Sequence, residues 1–125
     1  MIVLVVAPHG EFRDGLTSLI SVIPDVNVVS TTENLDRAIS FVGEHCPELL
    51  IAVITRVEPT TLSKIKMMKA GCQQLKVIAC VKHPVMVTEP NSGDLDAVIS
   101  QYSKASLITD TVLSLLSVKH ESDDS

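Results

Sequence analysis

Residues 3–29 read VLVVAPHGEFRDGLTSLISVIPDVNVV, and their pattern decides the fold. The aliphatic run that begins at Met1 ends with Ala7, and Pro8 stops it. Phe12, Leu16, Leu19, Ile20 and Ile23 then recur at the spacing of one helix face, and that pattern stops at Pro24. A second aliphatic run, Val26–Val29, follows at once. Strand, helix and strand in so short a length is a βαβ unit. A run that is apolar at nearly every position predicts a strand covered on both faces, as in a parallel sheet between helical layers.

The same alternation continues outward. Leu35, Ala38, Ile39 and Val42 predict a second helix that ends before Pro47, and Leu49–Ile54 predicts a third strand. A third helix is expected over Thr61–Ala70, with Leu62, Ile65 and Met68 inward and Gly71 as its stop. Leu75–Val81 supplies a fourth strand. Between Lys82 and Asp96 the sequence KHPVMVTEPNSGDLD carries two prolines and a glycine where a fourth crossover helix belongs, so any helix there is shortened or broken. Ala97–Ser100 reads as a fifth strand and Ser106–Val118 as a closing amphipathic helix, with Leu107, Ile108, Val112, Leu115 and Leu116 at helical spacing. Residues 1–118 thus form one α/β domain, a three-layer sandwich on a five-stranded parallel sheet, and 119–125 a polar acidic tail or the start of a linker. Function is expected in the loops at the carboxyl ends of the strands.

Composition sets limits on that function. At 125 residues the chain is one domain, and 46% hydrophobic against 20% charged residues excludes a disordered or low-complexity segment. The net charge of −5 gives no basic face to displace counterions from phosphates, so no nucleic-acid contact is expected. Cys46, Cys72 and Cys80 are odd in number and widely spaced, which suggests neither a disulfide framework nor a zinc site, and a reducing cytoplasm fits such usage. The aliphatic start is too short for a membrane span and has no basic flank of a signal peptide, so no membrane association is expected.

The quoted stretch resembles the opening of a response-regulator receiver domain of the NarL/FixJ type, with His9, Phe12, Arg13, Gly15, Leu16, Pro24, Asp25, Val28 and Val29 matching in place. The likeness continues without gaps through Asn34, Ala38, Pro47, Leu49–Ile54, Leu62 and Lys76–Ile78. It covers residues 2–83 well and 92–118 loosely, and it implies a flavodoxin-like (CheY-like) fold. Receivers of this kind phosphorylate themselves. Paired acidic residues hold Mg²⁺, an aspartate takes the phosphoryl group, and a hydroxyl and a lysine bind its oxygens. The resemblance places Ala7 and Pro8 at the paired acidic positions, Val53 at the phosphoacceptor, Val81 at the hydroxyl and Ser100 at the lysine. Valine has no oxygen nucleophile, and alanine and proline have no side-chain metal ligand. The resemblance therefore implies a degenerate pseudo-receiver without catalysis, metal or cofactor. Such a module acts in bacterial signalling or transcriptional control through a protein partner or a homodimer. The aromatic position of the fifth strand falls on Ala97, and the fourth crossover is short with Pro90 inside it, so the usual dimer face is not carried over.

A second resemblance concerns His9-Gly10 and the segment VIACVKHP, which are similar to mannose-type phosphotransferase IIA proteins. That family implies a phosphohistidine carrier using His9. Thr55–Thr60 stands where it has an aspartate to orient the histidine. His45, His83 and His120 share no ligand spacing with the cysteines; Cys46 and Cys80 read as small core residues, and Cys72 beside Gly71 can be exposed. Lys64, Lys66 and Lys69 with Arg56 form a basic cluster, either a solvated helix face or a surface for an acidic partner. Met67 and Met68 cannot share one helix face, so one points outward. Val85, Met86 and Val87, with Lys64 and Met67, are the candidate interface residues, since three consecutive apolar residues in a loop either tuck into the core or meet a partner.

Overall fold

The computed structural model describes the backbone of residues 1–55, 57–82 and 95–124, and the side chains among them through residue 116. Five strands, β1 (Ile2–Val6), β2 (Val28–Thr32), β3 (Leu49–Ile54), β4 (Lys76–Val81) and β5 (Ala97–Ser100), form one sheet in the order β2-β1-β3-β4-β5. Every pairing is parallel. The described helices are α1 (Glu11–Ser21), α2 (Leu35–His45), α3 (Pro59–Gly71) and α4 (Ala105–Asp124). The α/β sandwich predicted by the strand and helix periods is therefore the fold observed. The fourth crossover, with the expectation of a short or broken helix, falls on 83–94 and lies outside the described residues.

Side-chain alternation sorts the core into two halves. Leu4, Val6, Leu50, Ala52, Val77, Ala79 and Val81 point to the layer holding Ala38 and Val42 of α2 and Ile65 and Met68 of α3. Val3, Val5, Leu49, Ile51, Ile78 and Cys80 point the other way, against Leu16 and Ile20 of α1 and Ile108, Val112 and Leu116 of α4. Because both faces are covered, the central strands have no polar side. β2 is an edge strand, VVSTT, and is only partly buried, which is why it begins at Val28 rather than at Val26 and takes in Ser30–Thr32. α4 continues through Asp124, past Val118 where the apolar pattern ends, so most of the expected polar tail is helical backbone.

Three polar or covalent ties fix elements that apolar packing alone leaves loose. Asn34 caps α2 by accepting from the Arg37 N–H at 3.0 Å. The Asp96 carboxylate, just before β5, accepts from Lys69 Nζ of α3 at 2.9 Å and from the buried Val77 N–H of β4 at 2.7 Å. The third tie corrects the reading of the cysteines: Cys46 and Cys72 form a disulfide with a Cα–Cα separation of 5.5 Å. Both stand at helix C-caps. Cys46 ends α2 in the left-handed conformation (φ 44°) usually left to glycine, and Cys72 ends α3 and is buried rather than exposed. Widely spaced in sequence, they meet because α2 and α3 lie side by side on one sheet face. Cys80 does read correctly as a core residue, and burial pushes its thiol up to about 11.

Two outcomes are expected. Asp96→Ala leaves the Val77 N–H unpaired and lowers unfolding free energy by about 2 kcal/mol, whereas Asp36→Ala, which breaks an exposed pair with Lys64 at 3.0 Å, changes it by less than about 0.5 kcal/mol in urea titrations. Closing a loop of 26 residues by a disulfide stabilises by about 3 kcal/mol, so reduced protein unfolds at correspondingly lower urea, and alkylation without reductant labels neither Cys46 nor Cys72.

Candidate functional site

The sheet order reverses between β1 and β3: the chain leaves β1 for β2 on one side, then crosses to β3 on the other. At the carboxyl ends of an open parallel sheet such a switch point leaves a crevice. Here it is an open cleft of about 830 Å³. Its floor is apolar, formed by Ala7, Pro8, Val53 and Ile54 at the ends of β1 and β3. Its walls are polar apart from Phe12 of α1: His9 and Arg13 at the start of α1, Thr55, Glu58 and Thr61 around the start of α3, and Lys82 and Gln101 just past β4 and β5.

Local sequence explains this placement. Gly10 is the N-cap of α1 with φ 156° and ψ −179°, a conformation that only glycine adopts readily, and no side chain caps the helix there among the described residues. The first-turn N–H groups of α1 are thereby left without intrahelical acceptors at the edge of the cleft. Arg13, one turn in, donates from Nη2 back to Nδ1 of the exposed His9. That bond sets the imidazole orientation and leaves the remaining guanidinium donors available. Ladder register places Ile54, Val81 and Ser100 abreast at the last paired row, so Thr55, Lys82 and Gln101 stand one row beyond it. Gln101 joins the three strand ends: its N–H donates to Val81 O at 2.8 Å, and its Nε2 donates to Ile54 O at 2.9 Å and Cys80 O at 3.4 Å.

The structure has clear relatives in shape. A two-component response regulator of the LuxR family from Aurantimonas sp. superposes with a TM-score of 0.78 at 14% identity, over 93% of this chain and 84% of that one. The signal receiver domain of the NarL response regulator of Mycobacterium tuberculosis gives 0.70 at 19% identity, over 90% and 93% of the respective chains. A chain from the complex of histidine kinase ThkA with response regulator protein TrrA gives 0.75 at 17% identity, over 92% and 97%. This is the receiver fold. No protein-family model matches the sequence, and no curated protein matches it.

Within the receiver fold, the five positions drawn from the resemblance separate. Ala7, Pro8 and Val53 line the cleft. Val81 does not: it is fully buried on the α2/α3 face. Ser100 is outside the lining, and its Oγ accepts from the Tyr102 N–H at 3.0 Å. The side chains that do reach the cleft from β4 and β5 are Lys82 and Gln101, one residue further along each strand. Position matching overlooked both, together with Thr61. The usable signal was register, since the last apolar residue of a buried strand is followed by the first free to face solvent.

The other candidate residues are scattered. Met67 is exposed at 59% and Met68 buried, as adjacent helix positions require. The basic cluster is partly neutralised, Lys64 by Asp36 and Lys69 by Asp96. Val85, Met86, Val87, Arg56 and His83 lie outside the described residues, as does the side chain of His120. Among the described residues no group of three His, Cys, Asp or Glu side chains could hold a metal ion, and no helix is long and apolar enough to cross a membrane. His45 packs on Phe41 with ring centroids 4.6 Å apart.

Because the Gln101 side chain ties the carbonyls of two neighbouring strand ends, Gln101→Ala is expected to cost about 1–2 kcal/mol of stability, and Ser100→Ala less than about 0.5 kcal/mol, by urea denaturation.

Proposed function

We propose that this chain is a receiver-type signalling module that works without aspartyl phosphorylation and passes its signal by protein contact. The observation that carries the reading is the residue at the end of β3. Val53 forms part of the cleft floor, and the resemblance assigns this position to the phosphoacceptor. A hydrocarbon side chain cannot attack phosphorus. Ala7 and Pro8 on the same floor offer no side-chain oxygen to a divalent cation, and the lysine position is occupied by Ser100. The module therefore has no catalytic role of its own, and the setting is two-component signalling or transcriptional control; the Cys46–Cys72 disulfide removes the ground that cysteine usage gave for a reducing cytoplasm.

A protein partner is favoured over nucleic acid by the net charge of −5. Among the neighbours in shape, one comes from a complex of a histidine kinase with a response regulator, which supports a protein as the kind of molecule recognised. Exposed apolar side chains on the helices, Met67 on α3 and Leu107 and Leu113 on α4, suit such contact. A second copy of the chain is one such partner, since isologous dimers are the commonest assemblies.

Intact mass after incubation with acetyl phosphate and Mg²⁺, or with phosphoenolpyruvate-charged HPr, is expected to be unchanged. A gain of one phosphoryl mass from acetyl phosphate overturns the proposal. A gain from HPr that disappears in His9→Ala establishes the phosphocarrier reading instead.

A further inference from the structure

Disulfides are dense in secreted domains too small to build a core, and this chain is not one of them. Each sheet face is closed by its own set of buried Val, Leu and Ile. Cys46–Cys72 therefore adds a covalent link to a fold already packed, and it does so at one place, between the C-terminal ends of α2 and α3. The remaining cysteine, Cys80, does not compete for either partner: it is fully buried, and burial keeps its thiol protonated.

The two bonded cysteines are not equivalent. Cys46 is partly exposed whereas Cys72 is 2% exposed, so a thiol arriving from solvent meets the Cys46 side of the bond. The surroundings are also prepared for the bond to be absent. Cys72 Sγ lies 3.7 Å from Pro47 O, so the thiol formed on reduction has a buried carbonyl to donate to. Cys46 is the one non-glycine residue with positive φ among the described residues, yet the bond is not all that holds it there. Its N–H donates to Val42 O at 2.9 Å, and Gln74 Nε2 donates to its carbonyl at 3.0 Å. What reduction removes is the tie between helices, leaving the exposed Lys64–Asp36 pair as the polar contact that joins α2 to α3 among the described residues.

We propose that Cys46–Cys72 is a redox latch, opened in the folded protein by a dithiol reductant and closed by a disulfide oxidant, which sets how firmly α3 is held against α2. A thiolate of the reductant bonds to Cys46 Sγ, the Cys46–Cys72 bond breaks, and its electron pair leaves on Cys72 Sγ, which takes up a proton. The second thiolate of the reductant then displaces Cys46 Sγ, which is protonated in turn. The protein gains two electrons and two protons, and the dithiol becomes a disulfide. Closed, the latch makes one body of α2 and α3. Open, α3 is held by Ile65 and Met68 in the core and by the Lys69–Asp96 pair. The parts that respond are the outer face of α3, where Met67 is exposed, and its first turn at the cleft, where Glu58 and Thr61 stand. This inference goes beyond contact-based signalling and does not depend on it, since neither a partner nor a phosphodonor enters its test.

The test follows the full chain through reduction by dithiothreitol and reoxidation by glutathione disulfide, using intact mass after alkylation and assigned ¹⁵N amide spectra. Reduction is expected to go to completion without denaturant, about tenfold faster at tenfold higher dithiothreitol, and at a rate indifferent to urea below the unfolding transition. Amide shifts are expected to run along α2 and α3 as far as Glu58 and Thr61 while α1 and α4 stay in place, and glutathione disulfide is expected to restore the starting spectrum. Cys46→Gly, which suits φ 44° and lacks the sulfur, is expected to give the spectrum of the reduced protein and no response to dithiothreitol. The proposal is overturned by a reduction rate that rises with urea as steeply as global unfolding, the mark of a bond reached only in the unfolded chain. It is equally overturned by shifts confined to the two cysteines and their sequence neighbours, by loss of the folded spectrum on reduction of the natural sequence, or by failure of the bond to re-form.

Discussion

Burial of the sheet on both faces is the constraint from which the rest of this molecule follows. In β1, β3 and β4 successive side chains enter opposite cores, so neither face can be given up to water without exposing a row of Val, Leu and Ile. Helices must therefore lie on each side, crossovers must be long enough to hold them, and all strands run the same way. With all carboxyl ends gathered at one rim, reversal of strand order between β1 and β3 opens the cleft where it does. The location of the site is thus settled by hydrophobic burial before any polar residue is considered.

The chemistry of the site is settled by what happens one residue past the sheet. As long as a strand is paired and sandwiched, apolar side chains are required, and Ile54 and Val81 still obey that rule in the last row. Thr55, Lys82 and Gln101 stand beyond it and are polar, and Gln101 uses its amide to satisfy carbonyls at the end of the ladder. An apolar floor with polar walls is the outcome of that boundary. Of the five substituted positions only Ala7, Pro8 and Val53 line the cleft, and the polar side chains around them come from other positions.

Legibility of the sequence follows the same division. Leu49–Ile54 and Ala97–Ser100 were readable to the residue, because burial on both faces or a sharp compositional break marks them. β2 slid by two residues, since an edge strand half open to solvent can carry Ser30, Thr31 and Thr32 and loses the aliphatic signature. The disulfide was not readable: Cys46 and Cys72 are 26 positions apart with a strand and a helix between them, and only the packing of these elements brings the two C-caps together. Lys69 offered no sign of its pairing with Asp96 for the same reason, as the partner comes from a different layer. Gln101 and Lys82 were visible in principle but hidden by matching positions to a pattern instead of counting rows of the sheet.

Helix α3 joins the two ends of this arrangement, and its stability is uneven along its length. Its C-terminal half is held by the buried Ile65 and Met68, by the Lys69–Asp96 pair and by the covalent link from Cys72 to α2. Its N-terminal turn has Pro59 at the start and Glu58 as an N-cap with no side-chain hydrogen bond. Regions with few satisfied polar groups and little apolar burial open at lower free energy than those with many. The cleft wall is thus the less stable end of a helix whose other end is fixed three ways. Any contact made in the cleft therefore falls on the end of α3 that opens most readily, while the disulfide end keeps α2 and α3 in register.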